Sequence, residues 1–521
     1  MSAFPEFIPS KLSFHLDSRL VTAVAVAAAL YYALYRLQKV KIHPNEPPIV
    51  ASKIPFVGPL VGMVLDGGRH VKSIGLLNRD KPIFTLPVPG SRIYVVTDPA
   101  LAAAVQRASK ELSWTPLIPE LTKRVMGLDA DTVGVVAQNL DPEPDEPHGF
   151  LADLHDMVYA YLGPGESLNA LSLAAARELG RQITAHAAQL EQQSETVDLL
   201  AWVQHFVTIG TAQYLYGPEN PLARDPRLEQ AFWDFDHGLG RLLLGFAPSL
   251  VARKPYRARE ALVAGLEEYL SAGRHEVGAA PIVQRRIEIA HLHGFSVAAT
   301  ARSELSFLFA GIVNTATSTF WTVLQVCARP ALLAAVRAEL AAVVEETATG
   351  ERRLSMEALK GACPTLHAVF LECLRVGSDS YTSRLVKNDM LLAGQWHLKA
   401  GSVVQIAGGV LHADPGIWGA DADAFDPARF IRLGEGKVLP AAFRPFGGGK
   451  TLCPGRHFAT HEILAFVAMI VLTFDLEAVH SDENISVPPK EDRVLPVHIL
   501  EPRTDVFVKV RVRDARAVVV V

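Results

Sequence analysis

Between Phe446 and Ala459 three glycines lead to one cysteine that opens an apolar helix: Phe446-Gly447-Gly448-Gly449-Lys450-Thr451-Leu452-Cys453-Pro454-Gly455-Arg456-His457-Phe458-Ala459. Residue types in this order can hold a thiolate. That charge persists only where amide N–H groups and a helix N-terminus stabilise it, and a thiolate so held is a strong axial ligand for haem iron. Consecutive glycines let the backbone bend around the sulfur and approach a flat macrocycle without Cβ clashes. Pro454 and Gly455 set up a helix from about Arg456, which puts Cys453 at the positive end of a macrodipole. A lone cysteine after a glycine-rich turn is more often a packed core residue, but the complete string favours a ligand. His457 and His461, four apart and followed by Glu462, offer zinc as an alternative. Zinc needs further ligands, and such a histidine pair is more often just one helix face.

Several elements could position that sulfur. Residues 303–329 form a long apolar stretch, ended by Pro330 and carrying Asn314, Thr315, Thr317, Ser318 and Thr319, which suits a buried helix crossing a site. Glu372 and Arg375 stand three apart on one face of an otherwise apolar helix, too apolar in its flanks for surface decoration. Ile83 to Thr97 alternates around Pro89-Gly90 as a β-hairpin, and Asp98-Pro99 starts a helix. From about Lys110 to Gly149 prolines and glycines break the helical signals, as in irregular segments that line sites. Helices are predicted over 168–193 and 196–216, the second stopped by Gly217-Pro218. Leu242 to Pro248 is an apolar patch in a loop-like context, readable as packed core or as a lip that dips into a membrane. Strand periodicity over 487–512 predicts a tail hairpin around Glu501-Pro502.

With 521 residues, 49% of them apolar, the chain can bury a large core. A net charge of −5 gives no reason to expect a nucleic-acid partner. Cys327, Cys363, Cys373 and Cys453 are too few and too helix-embedded for a disulfide framework, so the catalytic body should face a reducing compartment. Leu20 to Tyr35 is an uncharged apolar run with Arg19 before it and Arg36, Lys39 and Lys41 after it. It reads as a signal anchor, extended by Leu37 and snorkelling flanks; a cleaved signal peptide and a core helix are the alternatives. The basic cluster on its C-terminal side places the body in the cytosol.

The cysteine loop resembles that of the cytochrome P450 haem-thiolate monooxygenases, Phe-x-x-Gly-x-Arg/His-x-Cys-x-Gly. Phe446, Gly449, Cys453 and Gly455 match, and Thr451 stands where a basic residue is usual. Lys450 or Arg444 is then left to partner one haem propionate. The 303–329 helix resembles the family's oxygen-binding helix, Ala/Gly-Gly-x-Asp/Glu-Thr-Thr/Ser: Ala310 and Gly311 match, Val313 replaces the acid, Asn314 replaces the first threonine, and Thr315 survives. The acid–alcohol pair of that motif relays protons, and a water chain through Thr315 or Thr317 could replace it. An Asn-Thr pair looks like the branch that holds the steroid 7α- and 12α-hydroxylases and prostacyclin synthase.

The resemblance implies further roles. Glu372 and Arg375 match Glu-x-x-Arg, which joins Arg429 in a buried triad that fixes the cysteine loop; Arg384 falls at a propionate-binding position; Ser380, Tyr381 and Thr382, with Ala310 and Gly311, would line the substrate space. The Trp-x-x-x-Arg motif is missing. The implied fold is mainly α with small β-sheets: one large haem-binding P450 domain over 61–521, after a lumenal segment 1–19, a transmembrane anchor 20–37 and a basic, proline-rich hinge 38–60. The implied activity is oxidation of a lipophilic steroid, terpenoid, polyketide or fatty acid. It would use haem b, dioxygen and NADPH-cytochrome P450 reductase, on a single-pass endoplasmic-reticulum protein whose catalytic domain faces the cytosol. A reductase-independent isomerase or dehydratase of oxygenated lipids is the runner-up, and a non-catalytic haem protein the third reading.

Overall fold

Ser296 starts the helix around which the body is packed: its side chain accepts from the Ala299 N–H, and the helix then runs Val297–Cys327 before Pro330 opens the next, Pro330–Val343. In this computed structural model the described residues are 42–50, 58–88, 90–190, 193–348, 350–433, 440–480 and 484–521, with Thr22, Ala25, Val26, Ala29, Tyr31 and Tyr32. Those six positions are helical and exposed; the remainder of the expected anchor, and Pro55 of the hinge, lie outside the described residues. The central helix begins six residues earlier than its apolar run suggested. The charges that blurred its start are accommodated inside, where Glu304 pairs with Arg286 at 2.9 Å and accepts from the Tyr216 hydroxyl.

Against the central helix pack Leu199–Tyr216, Arg253–Ser271, Pro364–Gly377 and Arg456–Thr473. Both Val297–Cys327 and Arg456–Thr473 are long and apolar enough to cross a membrane by composition, yet most of each is buried within the body, which makes them core helices. The largest sheet has five strands in the order Ile83–Val88, Ser91–Val96, Val403–Ala407, Tyr381–Val386 and Leu112–Ser113. The expected hairpin is its first pair, with Ile83 opposite Val96 and Gly90 in the turn at φ +72°.

Two expectations are corrected. Residues 196–198 are not helical: Ser194–Asp198 is a strand paired with Phe507–Val512, and the helix starts at Leu199 with Asp198 as its cap. Nor is Glu501-Pro502 a hairpin tip. Glu501 lies in an arm whose carbonyl accepts from Glu491, and the tip is the loop 492–500. Tertiary bonds shape that loop: the Leu500 N–H donates to Gly377, and the Trp321 indole N–H donates to the Leu500 carbonyl. Alternation along the chain cannot reveal such contacts. In the 242–248 patch Leu242 is buried, whereas Leu244, Phe246 and the nearby Leu250 are 57%, 77% and 80% exposed.

Candidate active site

Gly447 and Gly449 adopt φ of +73° and +63°, values that side chains disfavour, and so curl the loop until the Cys453 N–H donates to the Phe446 carbonyl at 2.9 Å. The helix Arg456–Thr473 begins immediately after. Burial pushes the Cys453 thiol above its ordinary value, while the N–H groups of Gly455 and Arg456 and the Arg456 charge act the other way. Burial thus works against an anion at this sulfur, and a cation bound there would favour one. Cys327, Cys363 and Cys373 are free as well, and burial drives all three thiols up. The rival metal site beside Cys453 does not form: His461 Nδ1 stands 3.0 Å from the Ser172 hydroxyl, and Glu462 turns to Tyr214.

Cys453 lines a cavity of about 410 Å³ together with Phe446, Gly455, Ala310, Gly311, Asn314 and Thr315. Ala310 and Asn314, four apart, are the positions where this stretch of buried helix presents open surface. Asn314 Oδ1 accepts from the Ile499 N–H at 2.9 Å, which leaves its NH2 group to the cavity. Val313, at the acid's position, points into the apolar core. The buried Glu462 accepts from the Tyr214 hydroxyl at 2.9 Å through Oε1, its Oε2 has no hydrogen-bond partner, and burial pushes its carboxyl up to about 8.

A second cavity of about 580 Å³ shares Val158, Arg286 and Pro454 with the first and is lined by Gln106, Tyr159, Arg384, Lys450 and Thr451. Arg384 and Arg444 are buried beside it, at 4% and 1% exposure, and among the described residues no carboxylate pairs with either. Neutral acceptors hold them. Arg384 donates to the Ser383 carbonyl at 2.7 Å and to the Thr451 hydroxyl at 2.5 Å. Arg444 donates to the Thr382 hydroxyl at 3.2 Å and, with the Gln106 amide suitably turned, to Gln106 Oε1 at 2.6 Å. Arg444 Nε has no partner. Burial lowers Arg384 to about 10, and burial together with the Arg384 charge lowers Arg444 to about 10. Two adjacent buried cations without counter-charge call for a ligand carrying two carboxylates, and the residues therefore fit a haem with its propionates. Lys450 is exposed at the same cavity. Where Trp-x-x-x-Arg was missing, the helix Phe150–Leu162 sends the Tyr159 hydroxyl to the Leu452 carbonyl.

Glu372 and Arg375 pair through two bonds of 2.7 and 2.6 Å, and Arg429 Nε stands 3.6 Å from Glu372 Oε1, all three buried. A link to the cysteine loop runs through His412, which the sequence reading missed. Arg375 donates to the His412 carbonyl at 2.6 Å, the His412 ring donates from Nδ1 to Ser378, and its Nε2 accepts from the Arg444 N–H at 2.8 Å. Burial pushes His412 down to about 3, so this bridge is neutral. Three expected substrate-facing residues are turned elsewhere. Tyr381 donates to the Gly68 carbonyl at 2.8 Å, the Ser380 hydroxyl lies 3.2 Å from that of Ser378, and Thr382 accepts from Arg444; none of the three lines either cavity, because pairing with Val403–Ala407 and these bonds fix their strand.

Helical body, interior cysteine and uncompensated arginines together define a protein built to enclose a haem. The Cytochrome P450 family profile matches residues 175–502. The chain is 32% identical over 515 residues to the cytochrome P450 monooxygenase nodJ of Hypoxylon pulicicidum, covering 95% of this chain and 94% of that one. It is 25% identical over 522 residues to cytochrome P450 7A1 of Sus scrofa, covering 95% and 98%. The crystal structure of the cytochrome P450DA heme domain superposes with a TM-score of 0.69 at 16% identity, over 90% of this chain and 98% of that one. This chain belongs to the cytochrome P450 family and is one of its monooxygenase enzymes. The family binds haem and works with a redox partner on lipophilic substrates.

Proposed function

We propose that this enzyme is a membrane-anchored haem-thiolate monooxygenase that oxidises a steroid, terpenoid, polyketide or fatty-acid type of molecule, with Cys453 as the proximal ligand of haem b. The supporting observation is a pair of cavities that share Val158, Arg286 and Pro454: one cysteine faces Ala310, Gly311 and Asn314 in the first, and Arg384 and Arg444, buried without a carboxylate partner, stand at the second. Haem b bound there would supply activation of dioxygen, with one oxygen atom entering a C–H bond of the substrate and the other leaving as water on two electrons from NADPH. Cys453 would hold the iron through sulfur, and Phe446, Gly449 and Gly455 shape the loop. Arg384, with Lys450 or Arg444, would bind the propionates. Asn314 turns its NH2 group to the cavity, where it would serve as a hydrogen-bond donor. Glu462, on the neighbouring helix Arg456–Thr473, has its carboxyl pushed up by burial and would keep a proton near the turn that lacks the usual acid. Glu372, Arg375 and Arg429 position the cysteine loop without touching substrate.

NADPH-cytochrome P450 reductase is the proposed electron donor, on the cytosolic face of the endoplasmic reticulum. Residues 1–19 form the lumenal segment, 20–37 the anchor, 38–60 the hinge and 61–521 the catalytic domain. The exposed Leu244, Phe246 and Leu250 support a lip immersed in that membrane. One observation favours a second reading, an isomerase or dehydratase: Val313 is buried in the core, and Asn314 does not titrate. Purified enzyme, reductase and NADPH incubated with lipophilic extracts are expected to yield products heavier by one oxygen atom, and only when all components and dioxygen are present. Turnover without NADPH and dioxygen would contradict the monooxygenase and establish the isomerase.

A further inference from the structure

The helix Arg227–Asp236 ends against the tail loop, where ligand atoms of Asp236, His237 and Glu501 come together and His498 stands beside Asp236. Asp236 is the odd member. Its side chain has no exposed surface, and neither carboxylate oxygen has a hydrogen-bond partner. A buried, unpartnered carboxylate is costly unless a positive charge completes it. His498 Nε2 stands 3.3 Å from Asp236 Oδ1 without hydrogen-bond geometry, and His237 Nε2 is hydrogen-bonded to Glu501 Oε2 at 3.1 Å. One ligand atom each from Asp236, His237 and Glu501 falls within 4.8 Å of the others.

These spacings suit a small tetrahedral cation. With metal–ligand bonds of about 2.0–2.1 Å, neighbouring ligand atoms stand about 3.3–3.4 Å apart. The two histidine–carboxylate separations match such edges, and the half-exposed His237 can rotate to close the others. Outer contacts are of the kind that orient ligands. The His498 Nδ1–H donates to the Ile499 carbonyl at 2.8 Å, which leaves Nε2 free to ligate, and Gln204 donates to Glu501 Oε1 at 3.0 Å. Two imidazoles with two carboxylates select zinc over calcium or magnesium, which prefer oxygen alone.

We propose that Asp236, His237, His498 and Glu501 form a zinc site that pins the tail loop against the helical body. The consequence reaches the active cavity, because the next residue, Ile499, lines it and donates its N–H to Asn314. Zinc would thus fix one wall of the substrate space from outside.

The test uses purified holoenzyme, stripped with a chelator, dialysed against zinc and then washed. Elemental analysis is expected to find a single retained zinc per haem, and X-ray absorption at the zinc edge two nitrogen and two oxygen ligands at about 2.0 Å. His237→Ala, at a half-exposed position that folding tolerates, and His498→Gln should each weaken zinc binding about tenfold or more against a chromophoric chelator, with haem content unchanged. Calcium should not compete. The proposal is overturned if washed holoenzyme keeps no zinc, if both variants bind zinc as tightly as the parent, or if calcium displaces it; the residues would then be two ordinary ion pairs.

Discussion

Glu372→Ala protein is expected to accumulate without haem, and so is Arg375→Ala. Each substitution strips a buried charge of its ion-pair partner, a loss of about 3–5 kcal/mol for a pair in this setting. The damage also has a direction. Arg375 carries the His412 and Ala422 carbonyls, and the His412 ring carries the Arg444 amide, two residues before Phe446. Releasing that chain frees the segment that curls around Cys453. The ratio of haem to protein after purification measures it, with a near-complete loss expected for both alanine variants. A parental ratio in either would remove the triad from the account.

Glu462→Gln should change how stability depends on pH, and in a definite sense. The unfolded chain releases this proton near pH 4.5, the folded chain only at about 8. Between those values the folded state holds a proton that the unfolded state has lost. The carboxyl's contribution to stability is therefore fully present below pH 4.5, declines as pH rises through the interval, and is flat above about 8. The slope for one proton is about 1.4 kcal/mol per pH unit. Glutamine does not titrate, yet it can still accept from Tyr214. Melting temperatures of ferric holoprotein, measured across the interval, should show the variant gaining on the parent at each step from about pH 5 to about pH 8. Parallel curves would mean that Glu462 is ionised throughout.

Residues whose function depends on local chain shape were legible beforehand. The glycines before Cys453 and the proline after it state the loop and the helix start, and Glu372 with Arg375 lies on one helix turn where spacing alone brings them together. Ala310 and Gly311 were visible only through the resemblance of their helix to the oxygen-binding motif. Partners chosen by tertiary packing were not. Nothing near His412 announces that its ring joins Ser378 to Arg444, and Gln106 reaches Arg444 from more than three hundred positions away. Glu462 gave a weak signal, a carboxyl inside an apolar helix, where burial demands a reason. Tyr381 and Thr382 misled because strand alternation predicts faces but not which face borders a cavity. The missing basic residue at 451 finds its explanation in space: Arg384 donates to the Thr451 hydroxyl and brings its charge to the same place.

Cys453 bonded to haem iron through sulfur is the claim on which the rest depends, and the ferrous carbonyl spectrum tests it most directly. Reduced holoenzyme under carbon monoxide should show the strongly red-shifted Soret band of thiolate ligation, and Cys453→His should move that band to the position of an imidazole-ligated haem. A parental spectrum already of the imidazole kind, or one left unchanged by the substitution, would contradict the account.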